Sequence, residues 1–145
     1  MNINDELYRE VILDHAQSPR HRGLIANADL VVEGVNPLCG DELKLSIRRE
    51  DGRLIEIGIQ GGGCSISLAS ASMLAEAVEG KTVEEIDAII ERVKAMLTGK
   101  EHEPMDEDED LAALEGIRKY PVRVKCAMLA WTTLQEALKQ SKEGQ

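Results

Sequence analysis

The chain has 145 residues, 43% of them hydrophobic, and a formal charge of −10. That length suits one domain around one core. The acidic balance argues against nucleic acid and against anionic membrane surfaces, both of which are bound through Lys and Arg.

Phe is absent and the aromatics are Tyr8, Tyr120 and Trp131, so an aliphatic core is expected. The start, "MNINDELYRE", lacks the basic and apolar blocks of a secretory signal. No apolar run approaches the roughly 18 residues of a spanning helix. A cytoplasmic protein is expected.

In chain order, Asn4 or Asp5 caps a predicted first helix reaching about Gln17, with Leu7, Val11 and Ile12 on one face and Tyr8 beside them. "SPRHRG" ends it. Asp29–Val35 reads as a strand. "ELKLSIRRE" alternates Leu43, Leu45 and Ile47 with polar neighbours. Asp51-Gly52 is a hairpin turn signal. "RLIEIGIQ" alternates again at Ile55, Ile57 and Ile59. After Gly61-Gly62-Gly63 the period becomes helical and runs to Gly80. Thr82 and Glu85 form a capping-box pattern before the next helix. "DLAALEGIRKY" predicts a short helix stopped by Tyr120-Pro121, and a last helix is expected over about 124–139. Strands grouped before helices predict an α+β fold, a three-stranded antiparallel sheet with helices packed on one face, in a single domain 1–145.

Three cysteines, Cys39, Cys64 and Cys126, are an odd number, which argues against a disulfide framework. Cys39 lies in the turn "NPLCGDELKL", two residues from Asp41. In extended backbone, residues i and i+2 point the same way, so thiol and carboxylate can converge. Alone, the pair reads more readily as a structural Cys beside a turn Asp that bonds its own backbone. Cys64 follows three glycines and opens a helix, where free N–H groups favour a thiolate, and the stretch reads equally as a loop needed only for a strand-to-helix corner. Cys126 stands near the start of the last helix, bracketed by Arg123 and Lys125, and alone reads as a small core residue. All three are expected at turns or helix starts, none buried within an element.

Together, three thiolates and one carboxylate make a four-ligand set for Zn²⁺, or equally for an iron–sulfur cluster. Spacings of 25 and 62 residues between the cysteines leave convergence for the structure to decide. A zinc ion held by all four ligands would be coordinatively full, so any chemistry requires a ligand to leave, and a released thiolate is the nucleophile. Arg123 and Lys125 are candidate catalytic residues that steady the departing charge. His15 is expected to be structural or at the surface. His21 sits in a basic bend suited to a partner. His102 lies in an acidic loop with seven acids between Glu101 and Asp110, which reads as solvated and lacks the spaced ligands of an EF-hand.

At these residues the chain resembles the IscU/NifU-N/SufU superfamily of iron–sulfur cluster assembly. "NPLCGDELKL", "GGGCSISLASASML" and "VRVKCAMLAW" resemble its three cysteine motifs, and "LYREVILDHAQSPRHRG" resembles its first helix and bend. Two features resemble the SufU branch. Lys125 stands where IscU-type scaffolds carry a histidine, and "TGKEHEPMDEDEDLAALEGI" looks like the SufU insertion. The proline-rich segment that IscU scaffolds show their chaperone is replaced by "YPVRVK".

The resemblance implies an IscU-like α+β fold and a zinc site of Cys39, Asp41, Cys64 and Cys126. It implies a partner as well, a SufS-type cysteine desulfurase that uses pyridoxal phosphate. Persulfide sulfur would pass to Cys39 and then to a downstream cluster-assembly scaffold or apo-protein. The alternative it implies is a scaffold on which a cluster is assembled and handed on.

Overall fold

The structure is a computed structural model. It describes the backbone of residues 3–17, 23–36, 40–99 and 110–143, and the side chains of 9–17, 23–36, 40–99 and 111–139. Cys39, His21, His102 and the acidic segment 101–109 lie outside the described residues.

Helix α1 (Ile3–Gln17) precedes three strands, β1 (Leu30–Asn36), β2 (Asp41–Glu50) and β3 (Arg53–Gly62). Helices α2 (Ser65–Val78) and α3 (Val83–Thr98), a 3-10 helix (Asp110–Lys119) and α4 (Pro121–Glu143) follow. The strands form one antiparallel sheet in the order β1-β2-β3, so the predicted α+β arrangement holds. No described helix is long and apolar enough to cross a membrane.

Alternation along β2 buries Leu43, Leu45 and Ile47 on one face. Across the ladder Leu45 faces Ile59 and Ile47 faces Ile57, which extends that face into β3. On the β1 side α4 packs close: a Cβ at Gly34 would lie 2.0 Å from Thr133 Oγ1. The opposite face is partly covered by the segment after α1, where the Ile25 N–H donates to Ser46 Oγ at 3.0 Å. The Asp51-Gly52 turn has positive φ at both residues, 53° and 74°, as a two-residue hairpin of the primed type requires.

Helix α2 is built from small residues, and Ala69, Ser70, Ala71 and Ser72 are all buried. Short side chains let neighbouring helices approach, but buried hydroxyls need partners. Ser70 Oγ donates to the Ala127 carbonyl of α4 at 2.6 Å and accepts from Trp131 Nε1 at 2.8 Å. Ser72 Oγ lies 2.7 Å from Nδ1 of the fully buried His15 of α1. His15 is therefore one of the structural histidines that the sequence allows. At the start of α3, Thr82 and Glu85 complete the predicted capping box. The backbone bond from Thr82, and then its hydroxyl, hold the Glu85 carboxyl below its ordinary value.

Three expectations change. Leu54, not Ile55, takes the fully buried place at the start of β3. The ladder slips at a bulge beside Arg48 and Arg49, and Leu54 is pinned by backbone bonds to Lys81 and Gly80, so the alternation loses its phase there. The segment 110–119 is a 3-10 helix, and its apolar Leu111, Leu114 and Ile117 recur every three residues, the 3-10 period. Finally, α4 begins at Pro121 rather than near 124. Proline's fixed φ suits the first helical position, where no N–H is needed.

Candidate metal centre

Asp41 is the first residue of β2, directly opposite Asn36 at the end of β1. The four residues 37–40, Cys39 among them, connect the two strands. Covalent geometry keeps the Cα of Cys39 within about 7 Å of that of Asp41. Gly40 has a φ of 70°, a backbone conformation that favours glycine.

The three glycines before α2 bring the second cysteine motif alongside. At Gly61 a Cβ would lie 2.1 Å from the Glu42 carbonyl. At Gly63 it would lie 2.4 Å from Asp41 Oδ1. Here only glycine lets β3 and the following turn pass so close to the start of β2. We expect Gly63→Ala to push the Asp41 carboxylate aside, lowering stability by about 1–3 kcal/mol, the usual cost of overpacking, and weakening metal binding. Denaturant unfolding and metal titration check this. A variant that matches the wild type in both would show that the carboxylate has room to move.

Cys64 is the N-cap of α2. Its Sγ accepts from the Ser67 N–H at 3.4 Å, and its own N–H donates to Asp41 Oδ1 at 2.8 Å. A thiolate here gains both a hydrogen bond and the positive end of the helix. Cys126 comes from α4. The expectation that no cysteine is buried within an element is corrected for this residue. It is the sixth residue of α4 and fully buried, because the helix starts earlier at Pro121 and turns this position inward. Asn36 Nδ2 lies 3.9 Å from its Sγ, and the Val122 carbonyl 3.8 Å.

Ligand atoms of Asp41, Cys64 and Cys126 lie within 4.8 Å of one another. A tetrahedral ion with Zn–S bonds of about 2.3 Å requires sulfurs roughly 3.8 Å apart. The donor set fits such an ion on a second count as well. Asp41 is fully buried, and its Oδ2 has no hydrogen-bond partner among the described residues. A buried carboxylate oxygen left without a donor is costly, and a cation between Asp41 and the two sulfurs removes that cost. The structure therefore brings these three residues together.

Arg123 and Lys125 are exposed on the first turns of α4. Sequence reasoning passed over two residues of this neighbourhood. Asn36 was quoted within a motif but given no role, and its burial follows from facing Asp41. Ser67 is fully buried one turn after Cys64, its Oγ without a partner among the described residues, and its place in an Ala/Ser-rich run concealed it.

Residues 7–144 match the family model described as "NifU-like N terminal domain". The chain is 38% identical over 140 residues to the zinc-dependent sulfurtransferase SufU of Bacillus subtilis, covering 97% of this chain and 95% of that protein. It is 44% identical over 135 residues to the iron–sulfur cluster assembly scaffold protein IscU of Thermotoga maritima, covering 92% and 93%. Among solved structures it superposes with a TM-score of 0.84 on a Fervidobacterium islandicum AW-1 protein described as a cluster assembly scaffold for the SUF system. That pair shares 34% identity over 89% of this chain and 94% of the other. The family match over residues 7–144, the identities over most of each chain and the common fold lead to one conclusion: the chain belongs to the NifU-like N-terminal domain family, within the IscU/NifU-N/SufU superfamily.

Proposed function

We propose that the protein is a zinc-dependent sulfurtransferase of iron–sulfur cluster assembly, taking persulfide sulfur from a cysteine desulfurase on Cys39 and passing it on. The observation that carries this reading is the Asp41–Cys64–Cys126 triad, with Asp41 and Cys126 fully buried and one carboxylate oxygen without a partner among the described residues, next to a strand connection that holds one further cysteine. Cys39, Asp41, Cys64 and Cys126 would hold the ion. Bound zinc supplies charge compensation that keeps thiolates deprotonated at neutral pH.

The chain's own residues divide the work. Asp41, Cys64 and Cys126 are held by β2, α2 and α4, so they form the fixed base. Cys39 is the acceptor. Its thiolate attacks the terminal sulfur of the desulfurase persulfide and forms a new S–S bond. The desulfurase cysteine departs as a thiolate. Cys39 then carries the sulfane sulfur to the next acceptor thiol. Arg123 and Lys125, exposed beside Cys126, steady negative charge at the mouth. Charge-neutral replacement of both is expected to slow transfer, and unchanged rates would remove them from the mechanism.

The donor in this reading is a SufS-type enzyme with pyridoxal phosphate. The acceptor is a cluster scaffold or apo-protein. The thiol chemistry is suited to a reducing compartment, which supports a cytoplasmic location in this reading.

A second reading has its own support in the 44% identity to a protein named as a scaffold. There the same four residues hold an iron–sulfur cluster in transit. Metal and acid-labile sulfide analysis of anaerobically purified protein separates the two. About one zinc per chain without sulfide, with one sulfur added on Cys39 by mass spectrometry after incubation with desulfurase and cysteine, is the expected result. Iron with matching sulfide would replace it with the scaffold reading.

A further inference from the structure

Each described ligand of the triad has an N–H group directed at it. The Cys64 N–H serves Asp41 and the Ser67 N–H serves Cys64, both from the backbone. For Cys126 the donor is a side chain, Asn36 Nδ2 at 3.9 Å. Asn36 is 8% exposed, and it faces the fully buried Asp41 as its partner in the β1–β2 ladder. A polar side chain buried at the last rung of a strand, with its amide toward a sulfur, is an unusual use of a position that Val or Ile would fill well.

We propose that Asn36 is a positioning residue of the metal centre, donating to the Cys126 sulfur from outside the ligand set and holding that sulfur on the ion. The inference rests on the metal-site reading above. A neutral thiol can donate to the Val122 carbonyl, 3.8 Å away. A metal-bound Cys126 carries no proton, so the same carbonyl then faces it as a negative dipole. An amide N–H on the β1 side offsets that, and a thiolate accepts more strongly than a thiol. The reverse amide orientation would set a carbonyl oxygen against the sulfur and is disfavoured by the same charge. When Cys39 is engaged in transfer, three ligands remain, and the firmness of Cys126 matters most then.

Two variants test this. Asn36→Leu removes the donor and adds no charge. Asn36→Asp keeps the shape, removes the donor and adds a negative charge beside Asp41. Zn²⁺ affinity is measured against a chromophoric chelator, and Co²⁺ is substituted to read the thiolate-to-metal charge-transfer band. Zn²⁺ affinity is expected to fall about 10–100-fold in the leucine variant, the usual effect of removing an outer-shell partner, and further in the aspartate variant. The Co²⁺ band is expected to move to lower energy in the leucine variant, because a thiolate without its hydrogen bond is easier to oxidise.

A residue that only filled space would lower the melting temperature of the metal-free protein and leave the band in place. That result, or affinities within threefold of the wild type in both variants, would overturn the proposal. Should the leucine variant fail to fold, the isosteric aspartate variant carries the test with the same readouts. Wild-type protein that binds neither Zn²⁺ nor Co²⁺ would instead remove the metal reading, so the two failures are distinguishable.

Discussion

Stripping the metal with a strong chelator is expected to lower the melting temperature by about 6–20 °C. The estimate follows from what the ion would leave behind. Asp41 is fully buried, its Oδ2 has no partner among the described residues, and two sulfurs sit within 4.8 Å of its ligand atom. Removing one side of a buried, charge-compensated cluster costs on the order of 3–5 kcal/mol, and a chain of this size loses about 2–4 °C per kcal/mol. Binding is also coupled to folding, since β2, α2 and α4 each contribute a ligand and separate when the chain unfolds. Calorimetry of protein analysed at one zinc per chain, before and after chelation, gives the answer. Adding Zn²⁺ back should restore the transition. An unchanged transition would mean that these residues do not hold the ion.

Changing Cys39 to serine is expected to abolish sulfur acceptance, by about a thousandfold or more, while the fold and most of the metal site survive. Serine lacks a thiolate at neutral pH and cannot form the persulfide. The fold survives because β1 and β2 already pair at Asn36 and Asp41, on either side of the connection that carries Cys39. The other two cysteines should behave differently. Cys64 caps α2 and Cys126 is buried in α4, so serine at either is expected to lose metal and stability together. Metal content, melting temperature and sulfur loading on one set of samples separate the roles. Full sulfur loading of the Cys39→Ser variant would move the acceptor to another cysteine.

Much of this architecture could be read from local pattern. The Thr82/Glu85 capping box, the Asp51-Gly52 turn and the β2 alternation are decided by residues within a few positions of each other, and each appears as expected. The exceptions have tertiary causes. Leu54 displaced Ile55 because a bulge in the neighbouring strand and the segment at Gly80 and Lys81 set the ladder's phase. Cys126 is buried because α4 begins at Pro121 and its inward face meets α2, through Ser70 and Ala127 among others.

For the metal centre, the division follows the same line. Residue types and near neighbours, such as a helix N-terminus beside a thiol, were enough to suggest Cys39, Asp41, Cys64 and Cys126 as a candidate ligand set only when taken together, and the family resemblance pointed to the same four. Their convergence was not decided by the sequence pattern: 62 residues separate Cys64 from Cys126, and only the packing of α2 and α4 against the sheet sets that distance. The same holds for Asn36. Nothing in its neighbours marks it as a donor, since its partner Cys126 lies 90 positions away, and a hydrogen bond across that span exists only once the core has assembled.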